Sequence, residues 1–211
     1  LNKFRSNYDQ ISFVPTMGNL HDGHISLIKK ANAYNDTVLA SIFINPLQFN
    51  DQNDFINYPK TLDSDINLLI KNECDCLFFP DQSILNNIKQ IKSSYKSQHL
   101  CGLNRPGHFD GVLTIVNRLF NLVKPTRAIF GKKDYQQLLL ISDFVKENNL
   151  PINIIGSEIV RDQSGLALSS RNNHLSADEK KLASNLYKTL KIIANKVDTC
   201  LLYTSDAADD L

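Results

Sequence analysis

Val14-Pro15-Thr16-Met17-Gly18-Asn19-Leu20-His21-Asp22-Gly23-His24 is the stretch whose reading decides the fold. It follows a short apolar run, Ile11 to Val14, and leads into an amphipathic pattern of Ile25, Leu27, Ile28 and Ala31. That order reads as a strand, a tight glycine turn and a helix over residues 23 to 34. Gly18 and Gly23 let a ligand approach the backbone closely. A helix start offers free N–H groups and the positive end of a dipole, and both favour phosphate. His21 and His24 stand three apart at that start. Two surface histidines capping a helix are the plain alternative. Placed between glycines and behind a buried strand, the pair points instead to imidazoles that stabilise charge developing on a phosphate oxygen, or to one of them as a general acid.

Outward from this stretch the chain alternates strands and helices. Thr37 to Ile44 is a continuous β-branched and apolar run, as in a strand buried on both faces, and Pro46 ends it. Residues 50 to 57 are polar and read as a loop. A helix follows with Leu62, Ile66, Leu69 and Ile70 on one face, then a short strand at Leu77-Phe78-Phe79-Pro80. Residues 81 to 104 carry no periodic pattern. Arg105 to Gly111 reads as a turn-rich loop opening a helix from Val112 to Val123. A strand at Arg127 to Phe130, a helix over 135 to 147 and a strand at Ile152 to Ile155 complete the pattern. Ser176, with Glu179 three residues on, forms a capping box for a last helix. Alternation of this kind predicts an α/β fold, a Rossmann-like doubly wound parallel sheet. Ligands in such sheets sit beyond the carboxyl ends of strands, where residues 15 to 24, 45 to 49 and 131 to 134 fall.

Other residues gain meaning from that placement. Lys132, Lys133 and Asp134 follow a strand end, where a lysine can neutralise triphosphate charge. Ser169-Ser170-Arg171, after a glycine turn, can grip phosphate through hydroxyls and a guanidinium fork. Gln48 and Gln137 are neutral amides suited to orienting a small polar substrate. Asp63 and Asp65 could help hold the magnesium ion that ATP brings, though a first helical turn explains them equally well. Met17 and Gly18 would let backbone approach a nucleotide, and simple packing also accounts for Met17.

Composition excludes several classes. The formal net charge of the 211 residues is +1, so no broad basic field argues for nucleic acid. No apolar run reaches the ~18 residues a membrane span needs. Residues 1 to 10 are polar and lack an apolar signal region, which points away from secretion and to the cytoplasm. Cys74, Cys76, Cys101 and Cys200 fit neither a zinc ribbon nor a disulfide framework. Cys74 and Cys76 read as core thiols beside a buried strand.

The spacing His-x-Gly-His marks adenylyl- and nucleotidyl-transferring enzymes. Six stretches together resemble one family among them, pantothenate synthetase (pantoate–β-alanine ligase). They are Val14 to His24; Ser41-Ile42-Phe43-Ile44-Asn45-Pro46-Leu47-Gln48-Phe49; Tyr58-Pro59-Lys60-Thr61-Leu62; His108 to Thr114; Phe130-Gly131-Lys132-Lys133-Asp134-Tyr135-Gln136-Gln137-Leu138; and Gly165 to Asn172. The resemblance runs from about residue 11 to about residue 190. It implies a two-step ligation. ATP and pantoate give a bound pantoyl adenylate and pyrophosphate; the amine of β-alanine then attacks the acyl adenylate, giving pantothenate and AMP. By matching position, Met17, Gly18, Asn19, Leu20, His21, Asp22, Gly23 and His24 would contact ATP, with Gly131, Lys132, Lys133 and Asp134. His24 would be the acid or charge stabiliser, beside His21, and Lys133 the phosphate-binding lysine. Val160, Leu168, Ser169, Ser170 and Arg171 would complete the ATP site. Gln48 and Gln137 would hold pantoate, and Asp65 matches a position linked to magnesium. A homodimer is also implied. Lys132 departs from the family's common Glu, and Ser64 stands where relatives can carry a further carboxylate.

These readings divide the chain into a Rossmann-like ATP- and pantoate-binding domain over 1–160, the opening of a C-terminal cap domain over 161–198, and a disordered or non-native tail over 199–211. Two alternatives stand beside the ligase: another His-x-Gly-His nucleotidyltransferase, and an impaired homologue that only binds nucleotide.

Overall fold

Phe13, Val14, Leu39, Ala40 and Ile129 are sealed from solvent, and they belong to three neighbouring strands. The computed structural model describes the backbone of residues 8–206 and the side chains of residues 8–197. Five strands form one parallel sheet: β1 (Ile11–Thr16), β2 (Thr37–Ile42), β3 (Cys76–Phe78), β4 (Arg127–Gly131) and β5 (Asn153–Ser157). Their spatial order is β3-β2-β1-β4-β5. Side-chain alternation along each strand feeds two cores. Val14, Val38, Ala40 and Ile129 meet α1 (Asp22–Asn32) and α3 (Leu62–Lys71) through Ile28 and Leu69. Phe13 and Leu39 share the opposite core with α4 (His108–Val123) and α5 (Tyr135–Glu147), among them Val116, Phe120 and Ile141. Helices on both faces make the sheet doubly wound, as the sequence pattern predicts.

The strand order reverses between β1 and β4, and a crevice at such a switch point is where ligands bind. Here the register helps to open it. β1 pairs with β2 from Ile11 to Thr16, but with β4 only at Ser12 and Phe13. That explains Pro15 inside a central strand. A proline lacks the N–H a ladder needs, and by residue 15 the β4 side of the ladder has ended. β1 therefore runs two residues beyond the expected Val14.

Three segments differ from expectation. Residues 50 to 57 contain a short helix, α2 (Gln52–Ile56), whose start is capped by Asp51 accepting from Asn53 N at 2.8 Å. Helix α4 begins at His108, not Val112, entered through Gly107 in the left-handed region. Residues 81 to 104 form a strap of three short 3-10 turns. Ile84, Leu85 and Ile91 pack on the core without helical or strand spacing, and side-chain bonds hold the rest: Ser93 N and Oγ donate to Asp110, Lys96 pairs with Asp143, and Gln136 Nε2 donates to the carbonyls of Lys96 and His99. Hydrophobic periodicity cannot reveal a segment held that way. Cys74 is half-buried, and burial pushes its thiol up to about 11, in keeping with an inert packed thiol.

A first compact unit ends at Ile159 and a second starts at Val160. In the second, Arg161 and Ala167 form an antiparallel bridge across a turn at Gly165. The Arg161 guanidinium lies 3.6 Å from the ring centroid of Tyr187 on the last helix, α6 (Ala177–Asp206). The expected capping box is present: Ser176 N donates to Glu179, and Glu179 N to Ser176 Oγ. α6 runs past residue 198, so residues 199 to 206 are helical where disorder is expected from their composition. Extending an existing helix costs little per residue. Residues 207–211 lie outside the described residues.

Candidate active site

The turn after β1 is built on backbone chemistry. Thr16 Oγ1 donates to Ser41 O at 2.8 Å and accepts from Gly18 N at 3.2 Å. Gly18 (φ +79°) and Asn19 (φ +50°) are both left-handed. A side chain at Gly18 would stand 3.0 Å from Asp65 Oδ2 and 3.1 Å from Ile42 Cγ2, so both conformation and space demand glycine. Asp65, only 1 % exposed, reaches up from the first turn of α3. Its carboxylate accepts from Asn19 N at 2.9 Å, Leu20 N at 2.8 Å and Thr61 Oγ1 at 3.2 Å.

This brace bears on the expected magnesium. Both Asp65 oxygens are committed to amides of the glycine turn. Among the described residues no three His, Cys, Asp or Glu side chains stand together as an all-protein metal cage would need, whereas magnesium beside a nucleotide takes only one or two carboxylates with phosphates and water. In this structure Asp65 supports the glycine turn.

The two histidines cap α1 reciprocally. His21 Nδ1 accepts from Gly23 N at 3.1 Å, and His24 Nδ1 accepts from His21 N at 3.3 Å. His24 N and Ile25 N donate to His21 O. The free helix-start amides expected to meet phosphate are thus mostly used internally, together with those of residues 19 and 20. Hydrogen-bonding capacity passes to the rings. An Nδ1 that accepts leaves the ring proton on Nε2, so each neutral imidazole keeps one N–H donor. The rings lie 4.1 Å apart, centroid to centroid. Burial pushes the His24 pKa down to about 3, with His21 and Lys133 adding to the shift. His21 is lowered too, by burial first and then by Lys133. Groups with depressed folded pKa values bind fewer protons folded than unfolded, so stability falls as pH drops below the unfolded value of 6.5. We expect the thermal midpoint to decline from pH 6.5 toward pH 3, and His24→Gln to flatten that slope; identical slopes would contradict the assignment.

The switch point brings Lys133 to the histidines, close enough to depress both. It follows β4 in the turn Lys132–Asp134, with Nζ 3.7 Å from Asp134 Oδ1. Lys132 pairs with Glu158, which offsets the extra positive charge the sequence places there. Gly131 ends β4.

Gln48 lies in a 3-10 turn, Pro46–Gln48, after β2. Its Nε2 donates to Met17 Sδ at 3.0 Å, and its Oε1 accepts from Asn45 Nδ2 at 3.0 Å. Asn45, almost fully buried, also donates to Gly111 O and accepts from Leu47 N. Helix α4 presses on this turn. A methyl group at Gly111 would stand 2.0 Å from Leu47 O and 2.4 Å from its carbonyl carbon. Gly111→Ala is therefore expected to cost about 2–3 kcal/mol, since backbone must move. Chemical denaturation would check it, and wild-type stability would contradict the packing. Gln137 is half-buried in the first turn of α5. Its neighbour Gln136 is the one that holds the strap.

Val160 and Leu168–Arg171 belong to the second unit. There Leu168 N donates to Val160 O at 3.0 Å, and Ser169 Oγ accepts from Arg171 N at 3.3 Å. Ser170 is buried in the short turn Ser170–His174. Thr16, Asn45, His108 and Gly111 had no role assigned from the sequence. A glycine inside an apolar helix pattern is the one available signal, since it flags close backbone approach.

A family model for pantoate-beta-alanine ligase matches residues 1–210. The pantothenate synthetase of Acinetobacter baylyi is 48 % identical over 196 residues, which cover 91 % of this chain and 70 % of that protein. The pantothenate synthetase of Marinomonas sp. is 49 % identical over 186 residues, covering 86 % and 66 %. The crystal structure of pantothenate synthetase from Thermus thermophilus superposes with a TM-score of 0.83 at 42 % identity, covering 89 % of this chain and 70 % of that one. A pantoate-beta-alanine ligase from Francisella tularensis, complexed with beta-gamma ATP and beta-alanine, superposes equally well at 42 % identity, covering 90 % and 77 %. Against tyrosyl-tRNA synthetase from Archaeoglobus fulgidus the likeness, at 9 % identity and a TM-score of 0.50, is one of fold alone. With the glycine turn, the paired imidazoles and the lysine assembled at one switch point, and with relatives alike in sequence and in fold over most of its length, the chain belongs to the pantoate-beta-alanine ligase family.

Proposed function

We propose that this chain ligates pantoate and β-alanine, using ATP and passing through a pantoyl adenylate. One observation carries the reading: two neutral imidazoles with Nδ1 tied to the backbone stand beside Lys133 at the switch point. A pantoate carboxylate oxygen attacks the α-phosphorus of ATP, and the bond to the bridging oxygen breaks, releasing pyrophosphate. Charge grows on that oxygen. The Nε2–H of His24 and of His21, and the Lys133 ammonium, stabilise it as fixed dipoles and a point charge. The β-alanine amine then attacks the acyl carbonyl, loses a proton and expels AMP. No covalent enzyme nucleophile is needed.

In this reading residues 17–24 and 131–134, with Val160 and Leu168–Arg171, bind ATP, and Gln48 and Gln137 hold pantoate. Residues 1–160 form the ATP and pantoate domain and residues 161–198 the start of a cap domain. Magnesium accompanies the nucleotide, held by phosphates and water. The working form is a cytoplasmic homodimer, which sedimentation would test. No described helix is long and apolar enough to cross a membrane.

Isotope exchange between pyrophosphate and ATP is the direct test. Exchange that needs pantoate supports the proposal. Exchange with another carboxylic acid, but not pantoate, would favour a different nucleotidyltransferase. ATP binding by calorimetry without any exchange would leave only a nucleotide-binding protein.

A further inference from the structure

Gln48 is held at more than its amide. Its main-chain carbonyl lies 2.6 Å from Nδ1 of His108, the first residue of α4, and 3.4 Å from Nη2 of Arg105. A carbonyl oxygen only accepts, so His108 Nδ1 must carry the proton and donate. The ring is buried and stacks edge-on against Phe109, with centroids 4.9 Å apart. Gly111, one turn further along α4, lets the helix backbone meet Leu47 directly. The 46–48 turn is thus clamped from one side by the first turn of α4.

We infer that His108 is a positioning residue for pantoate: through the Nδ1–H bond to the Gln48 carbonyl it sets where the Gln48 amide presents itself. The inference rests on the proposed pantoate role of Gln48. The bond acts directly on the 46–48 turn, and reaches the turn that carries His21 and His24 only through the Gln48 amide on Met17 Sδ, so its effect falls on pantoate more than on ATP. The ring is also locked in one tautomer by an acceptor it cannot exchange, so it works by geometry and not by proton transfer.

The two amide side chains separate the ring nitrogens. Asparagine places an N–H donor near the Nδ1 position; glutamine places its amide near Nε2, one bond too far to reach the Gln48 carbonyl in the same way. Pantoate-dependent pyrophosphate exchange should therefore show a pantoate KM raised about tenfold in His108→Gln, the worth of one buried hydrogen bond. His108→Asn should stay within about threefold of wild type, and in both variants the ATP KM should move less than the pantoate KM. Equal pantoate KM values in all three proteins would overturn the inference. So would a loss in His108→Asn as large as in His108→Gln, or a rise in ATP KM matching the rise in pantoate KM, because either means general disruption of the helix start. Wild-type protein that exchanges with no pantoate dependence would instead refute the ligase reading itself, so the two failures are distinguishable.

Discussion

His24→Ala should lower pantoate-dependent pyrophosphate exchange by about 10²–10³-fold, the usual loss when one donor to a developing oxyanion is removed. The expectation is large because the site offers few substitutes. The amides of residues 19, 20, 21, 23 and 24 are already engaged within the protein. The Nε2–H of His24 therefore carries a share of the charge that a freer helix start would divide among several donors. Truncation also breaks half of the reciprocal cap on α1, which costs about 1 kcal/mol of stability. That is too little to unfold an ordinary domain. Exchange rate and thermal midpoint measured on the same sample separate the two effects. A variant that keeps near-full exchange would refute the assigned role. With the pKa of His24 at about 3, the free enzyme's rate should show no His24 titration between about pH 5 and pH 9.

Asp65→Ala should be the most destabilising single change near the site. It strands two backbone donors, the buried Leu20 N at about 1–3 kcal/mol and the part-buried Asn19 N at about 1 kcal/mol. Asp65→Asn is the sharper probe. It keeps the shape but turns one oxygen into an N–H₂ group facing an amide donor. The glycine turn should then loosen, raising the ATP KM by about tenfold or more, as expected when one charge-assisted hydrogen bond is lost. If the carboxylate only braces the turn, extra magnesium does nothing for the variant. Recovery of ATP affinity by raised magnesium would show that Asp65 is a metal ligand after all, and would overturn the brace.

Much of this was legible in one dimension. Thr37 to Ile42 reads as a doubly buried strand because every residue there is small, apolar or β-branched. The helices at 62–71 and 135–147 repeat their apolar residues every three or four positions. Such periodicities state which face is buried without naming a partner. The strap over 81–104 was not legible, since Asp110, Gln136 and Asp143 hold it from positions far along the chain.

Local chemistry alone determined that a glycine turn, two histidines and a helix start occur together, and that strands and helices alternate into a parallel sheet. Strand order was decided only in three dimensions. It brings Lys133 to His21 and His24 from a distant part of the chain. The same holds for Asp65: its sequence context, a carboxylate in a first helical turn near another, suits a metal or a helix dipole equally. Only the packed turn, with two amides aimed at its oxygens, makes it a support. Side-chain type limits what a residue can do, but the polar groups that folding brings within about 3 Å decide what it does.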